Sequence, residues 1–440
     1  MKEIQRFDHT QQLFRWALWA GLFMALLVFG LQVIAQSPQS KPASDFVEYW
    51  AAGRLNASGA NPYASDELAR LQRQIGYIHN EPMMMWNPPW VMPLVMPFGL
   101  IGYPLSRLLW LLVTLALVLF SADQVWHYYG GAPRQKWIGI AVVLTFVPTV
   151  FVLLAGQITA FVLLGVVGFL YFERRQQWFW AGVSTLLIAV KPHLLYLFWI
   201  ALFFWVVHYR RWTVLLGSLV GLAAATLTAI AFNPSIVSAY LGALRTPSYY
   251  WVTPTIGANL RLLFGWDNYW LQFVAPVFTA MWFLIYWFRV RENWSWDRQM
   301  PIVLLLSVTT TAFGWLFDQV VLLFVPILIV LTGITRPRRF QVLNLLFFVA
   351  VNTLAWKVHL APTLAYEWAA AHGGDLTGDG WGLTAGIWQM SRAWGVWLAP
   401  ALALWYWWAG KYGLGRDSVL SAGVATSSVE SAASVTNPHD

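Results

Sequence analysis

The chain has 440 residues, of which 59% are hydrophobic and only 10% charged, with a net charge of +8. Soluble domains carry roughly 25% charged and 45–50% apolar residues, so this chain has too few charges to coat two or three soluble domains. It contains no cysteine, which excludes disulfides, thiolate zinc sites, a cysteine nucleophile and a palmitoyl or lipoprotein anchor.

Apolar runs of about 15–24 residues recur from Trp16 to Trp408, the length a helix needs to cross a bilayer. They predict an all-α, polytopic integral membrane protein. The net positive charge does not argue for nucleic acid, because the basic residues sit in short loops between apolar runs instead of on one stripe. The 30 tryptophans suit the membrane–water interface, where indole rings are favoured.

The first run, 16–35, follows Lys2, Arg6 and Arg15. Val33-Ile34-Ala35 has the form of a signal-peptidase site, but the run exceeds the roughly 7–15 residues of a signal core. It reads as an uncleaved span with a cytoplasmic N-terminus. The first outer loop, 37–103, follows. Ser44 is a good N-cap for a short helix, and Gly59 a stop for it. Asp45 then lies in the first turn, where the helix dipole favours a carboxylate, with Glu48 one turn later on the same face. After the Asn61-Pro62-Tyr63 turn, a second helix sets Leu68, Leu71 and Ile75 on one side. Glu67, Arg70, Arg73 and Gln74 lie around the other, a pattern suited to the membrane surface. Residues 88–101 are apolar but short and proline-rich, and read as a re-entrant or interfacial stretch of the outer face.

Further spans are expected near 104–125, 137–155, 158–172, 178–190, 193–208, 213–232, 270–288, 301–316, 319–333, 340–356 and 385–409, for about twelve crossings. Arg134 and Lys136, Arg174 and Arg175, Arg210 and Arg211, Arg289 with Arg291 and Arg298, Arg336 with Arg338 and Arg339, and Lys411 with Arg416 then share one side. That side is cytoplasmic by the positive-inside rule. The membrane domain is drawn as 1–412. Residues 413–440, rich in Ser, Ala, Val and Thr without periodicity, are expected to be a disordered cytoplasmic tail.

The same parity gathers polar groups on the outer side. They are Gln157, the Lys191-Pro192 pair with His193, Arg245, the stretch 246–251, Arg261 and Asp318. Lys357, His359, Glu367, His372, Asp375 and Asp379 fall in the last outer loop. A charge within a span costs roughly 2.5–3.5 kcal/mol, so Lys191 and Asp318, closely flanked by apolar sequence, each need a partner or a wet cavity. Glycines 373, 374, 378 and 380 interrupt His372, Asp375 and Asp379. That pattern falls short of an EF-hand, and no metal is expected. No glycine-rich phosphate loop follows a strand, so neither a nucleotide-sugar site nor another cofactor is expected.

The run Asp45-Phe46-x-x-Tyr49-Trp50-x-Ala52-Gly53, followed by Gly59-x-x-Pro62-Tyr63, resembles glycosyltransferase family 87. The likeness continues through Pro88-Pro89, Pro97, Gly156-Gln157, Lys191-Pro192 and the Asp318 turn, up to about residue 335. It departs at Trp86-Asn87, where a Tyr precedes the double proline in the family, and at Thr159, where Asn is common. Ala258-Asn259-Leu260 is only loosely similar to the late polar loop. The family's members are polyprenyl-phosphate-sugar-dependent enzymes of the GT-C fold, best known as α-mannosyltransferases. The resemblance implies a GT-C-type bundle with interfacial helices in the first outer loop. It also implies a polyprenyl-phosphate-linked hexose donor, most simply mannose, and a glycolipid or glycan acceptor at the outer face of the plasma membrane. Asp45 stands where such enzymes carry the general base, with inversion at the anomeric carbon.

An anionic lipid phosphate as leaving group calls for cations near the membrane boundary. Lys191, Arg245, Arg261 and His193 are the candidates. Glu48, Tyr49, Trp50, Gln157 and Asp318 are candidates for contacts with sugar or acceptor. Each has a plainer reading: Lys191 as a snorkelling residue at a proline-broken helix end, the arginines as interfacial anchors, His193 as packed. Likewise Glu48 suits a solvated face, the aromatic rings interface packing, and Asp45 and Asp318 helix ends. Two other classes stay open, a transporter or lipid flippase and a non-catalytic assembly subunit. A transporter also places Lys and Asp at helix breaks, but here no inverted repeat is visible and the polar groups gather on one side.

Overall fold

A computed structural model describes residues 45–77, 81–245, 253–334, 336–371 and 394–412, with 357–371 and 411–412 described by backbone alone. The predicted span 16–35, Ser44, the stretch 246–251, the group His372, Asp375 and Asp379, and the tail 413–440 lie outside these residues. So do the side chains of Lys357, His359 and Glu367.

Among the described residues every regular element is helical, and none is a strand. The α-helices run in order α1 Phe46–Ala57, α2 Ser65–Gln74, α3 Met92–Gly99, α4 Tyr103–Tyr128, α5 Lys136–Thr145 and α6 Val147–Ala155. Then come α7 Thr159–Arg174, α8 Trp178–Ile188, α9 Tyr196–Tyr209, α10 Trp212–Phe232, α11 Ile236–Ala243 and α12 Ile256–Phe264. The last are α13 Val274–Val290, α14 Trp296–Thr310, α15 Phe324–Ile334, α16 Arg338–Ala371 and α17 Leu398–Tyr412. The all-α content expected from the sequence is therefore observed among the described residues.

Among the described residues, five helical stretches are long and apolar enough to cross a bilayer: Tyr103–Tyr128, Trp212–Phe232, Tyr269–Asn293, Leu316–Ile334 and Arg338–Trp356. A sixth results if Pro133–Thr145 and Val147–Ala155, bent by 61°, form one span. The expected count of about twelve includes the span 16–35 and the start of 385–409, which lie outside the described residues, and several stretches that are broken into shorter helices. The helices α7, α8, α9 and α14 have 16, 11, 14 and 15 residues. Such helices are roughly 17–24 Å long, against a hydrocarbon core of about 30 Å. At the other extreme, α16 continues from the expected span through Lys357, His359 and Glu367 to Ala371, where a loop was expected. Hydropathy ends there, but Ala, Leu and Glu remain good helix formers.

The chain divides into two compact units, one with residues up to 115 plus 223–247, the other with 116–222 plus 248 onward. In the first unit, α1 stops as expected at Gly59. Ala60 N–H donates to Leu55 O at 2.9 Å and Gly59 N–H to Asn56 O at 3.1 Å, with Gly59 left-handed at φ 76°. These are the two bonds of a Schellman stop. Asn61 Oδ1 then accepts from Tyr63 N–H at 3.0 Å, closing the turn. In α2, Leu68 is fully buried while Arg70, Arg73 and Gln74 are exposed, which matches the amphipathic reading. Gln72, also buried, holds the backbone of Met83 through both amide ends, at 2.8 and 2.9 Å.

The 88–101 stretch forms a 3-10 turn at Pro89–Val91 and the eight-residue α3. An eight-residue helix is about 12 Å long and cannot cross a bilayer. It lies backbone to backbone on α1: a Cβ on Gly53 would come 2.6 Å from Val95 O, and one on Gly99 2.3 Å from Arg54 N. Small residues allow this approach where apolar surroundings supply no hydrophobic drive between helices. Gly53→Ala is expected to destabilise the unit by about 1–3 kcal/mol, as overpacking does. Thermal unfolding of the purified protein in detergent checks this, and an unchanged midpoint would show that α1 and α3 have room to part.

In the second unit, the stretch Leu316–Ile334 is the most enclosed candidate span, with 78% of its window buried against 22% for Tyr269–Asn293 and for Arg338–Trp356. The latter two turn apolar faces outward, with Phe278, Ile285, Leu345 and Leu346 exposed. That distribution suits lipid around a central element. The central element carries Asp318.

Candidate functional site

Three helix breaks in the second unit supply the site. The first follows α6, where Gly156 takes a left-handed conformation at φ 67° and Gln157 N–H closes the turn on Val152 O at 3.0 Å. A residue with a Cβ is strained in that conformation, which explains the Gly before Gln157. The second break lies between α8 and α9, at Lys191-Pro192, where proline has no N–H to continue a helix. Thr311, at the third break after α14, donates its hydroxyl to His193 O at 3.0 Å, tying the second and third breaks together. A 3-10 segment, Leu316–Leu323, resumes after the third break.

The expected residues Gln157, Lys191 and Asp318 meet where the breaks converge. Lys191 Nζ donates to Asp318 Oδ1 at 2.7 Å and to Gln157 Oε1 at 2.8 Å. Thr159 Oγ1 donates to the same Asp318 oxygen at 2.5 Å, and Trp315 N–H to Asp318 Oδ2 at 2.9 Å. Asp318 is 1% exposed, Gln157 5% and Lys191 9%. A carboxylate buried this deeply carries a heavy desolvation cost, which an ammonium and two neutral donors offset. Asp318 is thus a helix-end acceptor and an ion-pair partner at once. Two of the three Lys191 N–H groups are bonded within the network.

Aromatic side chains edge this network. Trp315 and Phe317 stack with centroids 6.2 Å apart, and Lys191 Nζ lies 5.0 Å from the Phe317 ring centre. Phe313, Trp315 and Phe317 are half-buried, and His193 is exposed, so the buried charges lie beside an accessible aromatic rim. The His193 ring stands edge-on to Phe313 at 6.4 Å. Thr159 and the Trp315 amide were not expected in the site. Thr159 was marked only as a departure from the Asn common in the family, and no side-chain pattern marks a backbone donor.

Arg261 is buried at 2% exposure, and its Nη2 and Nε donate to Trp266 O at 2.8 and 3.0 Å. Its guanidinium also lies 3.9 Å from the Trp266 ring centre. Burial lowers its pKa from the ordinary arginine value, and Tyr269 and Asp267 oppose that shift. Gln272 extends from this cluster toward the third break, donating to Thr255 Oγ1 at 3.2 Å and to Ala312 O. Arg261 therefore braces the 261–272 turn.

The remaining expected residues belong to the first unit. Asp45 is the N-cap residue of α1, half-buried, and its side chain makes no capping bond. Glu48 is 9% exposed, so it does not lie on a solvated face. Tyr77 is the neighbour that sequence reasoning missed. Burial, followed by the nearby carboxylates of Asp45, Glu48 and Glu81, pushes its phenol above the ordinary tyrosine range. Tyr49 and Trp50, at 1% and 4% exposure, are packed: Tyr49 stacks on Trp110 at 5.6 Å and Trp50 meets Tyr103 edge-on at 5.4 Å. Trp50 Nε1–H also donates to Ile101 O at 3.0 Å. Arg245 is exposed just after α11. Among the described residues, no three His, Asp or Glu side chains come together as a metal-ligand group.

Comparison with known proteins adds one match. The model of the family described as Glycosyltransferase family 87 matches residues 86–307. That stretch holds Gln157, Lys191, His193, Arg245 and Arg261, and leaves Asp45 and Asp318 outside it. No curated protein and no solved structure matches the chain.

Proposed function

Since the chain belongs to glycosyltransferase family 87 and is a membrane glycosyltransferase, we propose that it transfers a hexose, most simply mannose, from a polyprenyl-phosphate donor. The acceptor is a glycolipid or glycan at the outer face of the plasma membrane, and the bundle is of the GT-C type with about twelve crossings. The observation that carries this reading is the buried Lys191–Asp318 pair bonded to Gln157 at a meeting of helix breaks. An ammonium held in place beside an accessible aromatic rim is suited to a phosphate that gains charge as it leaves.

In the proposed reaction the acceptor hydroxyl attacks the anomeric carbon and inverts it. The bond from that carbon to the phosphate oxygen breaks, and the electron pair leaves with the lipid phosphate. The hydroxyl proton passes to the Asp45 carboxylate. Lys191 contributes its remaining N–H to the phosphate, while Asp318 and Gln157 position the ammonium. Arg245 is a further cation for the phosphate, and His193 a further hydrogen-bond donor to it. Arg261, bonded to the Trp266 carbonyl, supports the turn it braces. Glu48 and Gln157 are the side chains best suited to sugar or acceptor hydroxyls.

The test is transfer of label from polyprenyl-phospho-mannose by membranes containing the protein, with lipid and glycan extracts of its native host as acceptors. Labelled glycolipid or glycan is the expected product. Loss of label with no product from this donor, but product from another lipid-linked hexose, would keep the reaction class and overturn the sugar. No product from any lipid-linked sugar would overturn the donor class.

A further inference from the structure

A second polar recess lies within the same unit, at the other end of α7. Thr159 at the N-terminus of that helix touches Asp318, whereas Arg174 closes its C-terminus. Fifteen residues of helix put the two ends about 22 Å apart. The recess is a cavity of about 430 Å³, and its walls include Val125, Val167, Leu170 and Phe324. Its polar lining is His127, Gln124, Tyr128, Tyr171, Arg174 and Arg175, with no acidic side chain among the lining residues.

The two guanidiniums are held without a close ion pair among the described residues. Arg174 Nη1 donates to Tyr128 O at 2.7 Å, and its guanidinium lies 5.0 Å from the Tyr128 ring centre. The Arg175 guanidinium lies 3.6 Å from the Tyr171 ring centre. Neither has a carboxylate within 4.0 Å among the described residues. Asp123, one turn before His127, is engaged by His127 at 3.4 Å and Lys136 at 3.7 Å, while Glu173 and Asp297 lie within electrostatic reach of Tyr128. Glu173, beside Arg174 in sequence, has its pKa raised to about 7, by burial first and then by Asp297, while Arg211 and Arg174 pull it back.

From this geometry we infer that the recess binds the phosphate head group of an anionic membrane lipid, with the lipid chain against its apolar wall. Basic pockets between membrane helices are suited to such head groups. Arginine presents several N–H groups to a phosphate at once, and 430 Å³ holds a glycerophosphate but not a whole lipid. The side of the bundle agrees: Arg174 and Arg175 stand in one of the loops rich in basic residues, where the sequence places the cytoplasmic leaflet.

Native mass spectrometry of the full-length protein, released from nanodiscs of phosphatidylcholine with phosphatidylglycerol, tests this. Phosphatidylglycerol is expected to be retained over phosphatidylcholine by wild type. Retention is expected to fall about tenfold in Arg174→Gln/Arg175→Gln. Arg174 also braces Tyr128, so Arg175→Gln alone is the second variant; its exposed side chain meets only the Tyr171 ring, and a smaller fall is expected. Arg134→Gln, an equal loss of charge outside the recess, is expected to retain the lipid. Equal retention by wild type and both recess variants would overturn the site. An equal fall in Arg134→Gln would reduce it to general surface charge, and competition by millimolar inorganic phosphate would overturn the lipid as its ligand.

Discussion

Lys191→Met is expected to abolish sugar transfer and to destabilise the protein by about 3–5 kcal/mol, the cost of stranding one partner of a buried ion pair. Asp318 is 1% exposed, so the carboxylate left behind cannot rehydrate. It must either take up a proton or open the break between α14 and the 3-10 segment. Lys191→Met/Asp318→Asn removes both charges while keeping an oxygen to accept from the Trp315 N–H. This double variant is expected to regain most of the thermal midpoint lost by the single one, because a neutral buried pair no longer strands a charge. It is not expected to regain transfer, because no ammonium then faces the leaving phosphate. The checks are thermal unfolding in detergent and donor turnover on matched amounts of protein. Recovered transfer in the double variant would make the pair structural alone and remove Lys191 from the reaction.

Asp45→Asn is expected to lower transfer by about 10²–10⁴, the usual span for loss of a general base, with little effect on folding. Asn is as good an N-cap residue as Asp, and the Asp45 side chain makes no capping bond that the exchange would cost. The measurement is label transfer by membranes containing equal inserted amounts of the two proteins. Transfer equal to wild type would withdraw the base from Asp45 and direct attention to Asp318 and Glu48. Glu48 lies one helical turn away and, like Asp45, lies near Tyr77. A fall in transfer together with a fall in midpoint would instead point to packing around α1.

Much of the local structure was legible because it depends on neighbours in the chain. Gly59 ends α1 through bonds that reach no further than five residues back. The faces of α2 follow from the 3.6-residue period, and α3 is too short and proline-rich to cross a membrane. The breaks within the apolar runs were less legible. Hydropathy averages over a window, whereas the breaks at Gly156, at Lys191-Pro192 and after Thr310 interrupt backbone hydrogen bonding without much changing the average. Nor did hydropathy show that Glu48 would be buried, or that Tyr49 and Trp50 would be spent on packing against Trp110 and Tyr103. The ring packing depends on residues 61 and 53 positions further along the chain.

By itself the sequence determined the membrane class, the helical content and the need of Lys191 and Asp318 for partners, because low charge and long apolar runs leave no other environment. It also carried the likeness to the family. Only the tertiary structure decided who the partners are. Lys191 meets Asp318 across 127 residues and Gln157 across 34, and Thr159 meets Asp318 across 159. No periodicity extends over such separations. The pairing arises because three breaks, each with polar groups that the apolar surroundings cannot satisfy, are brought together by packing and satisfy one another.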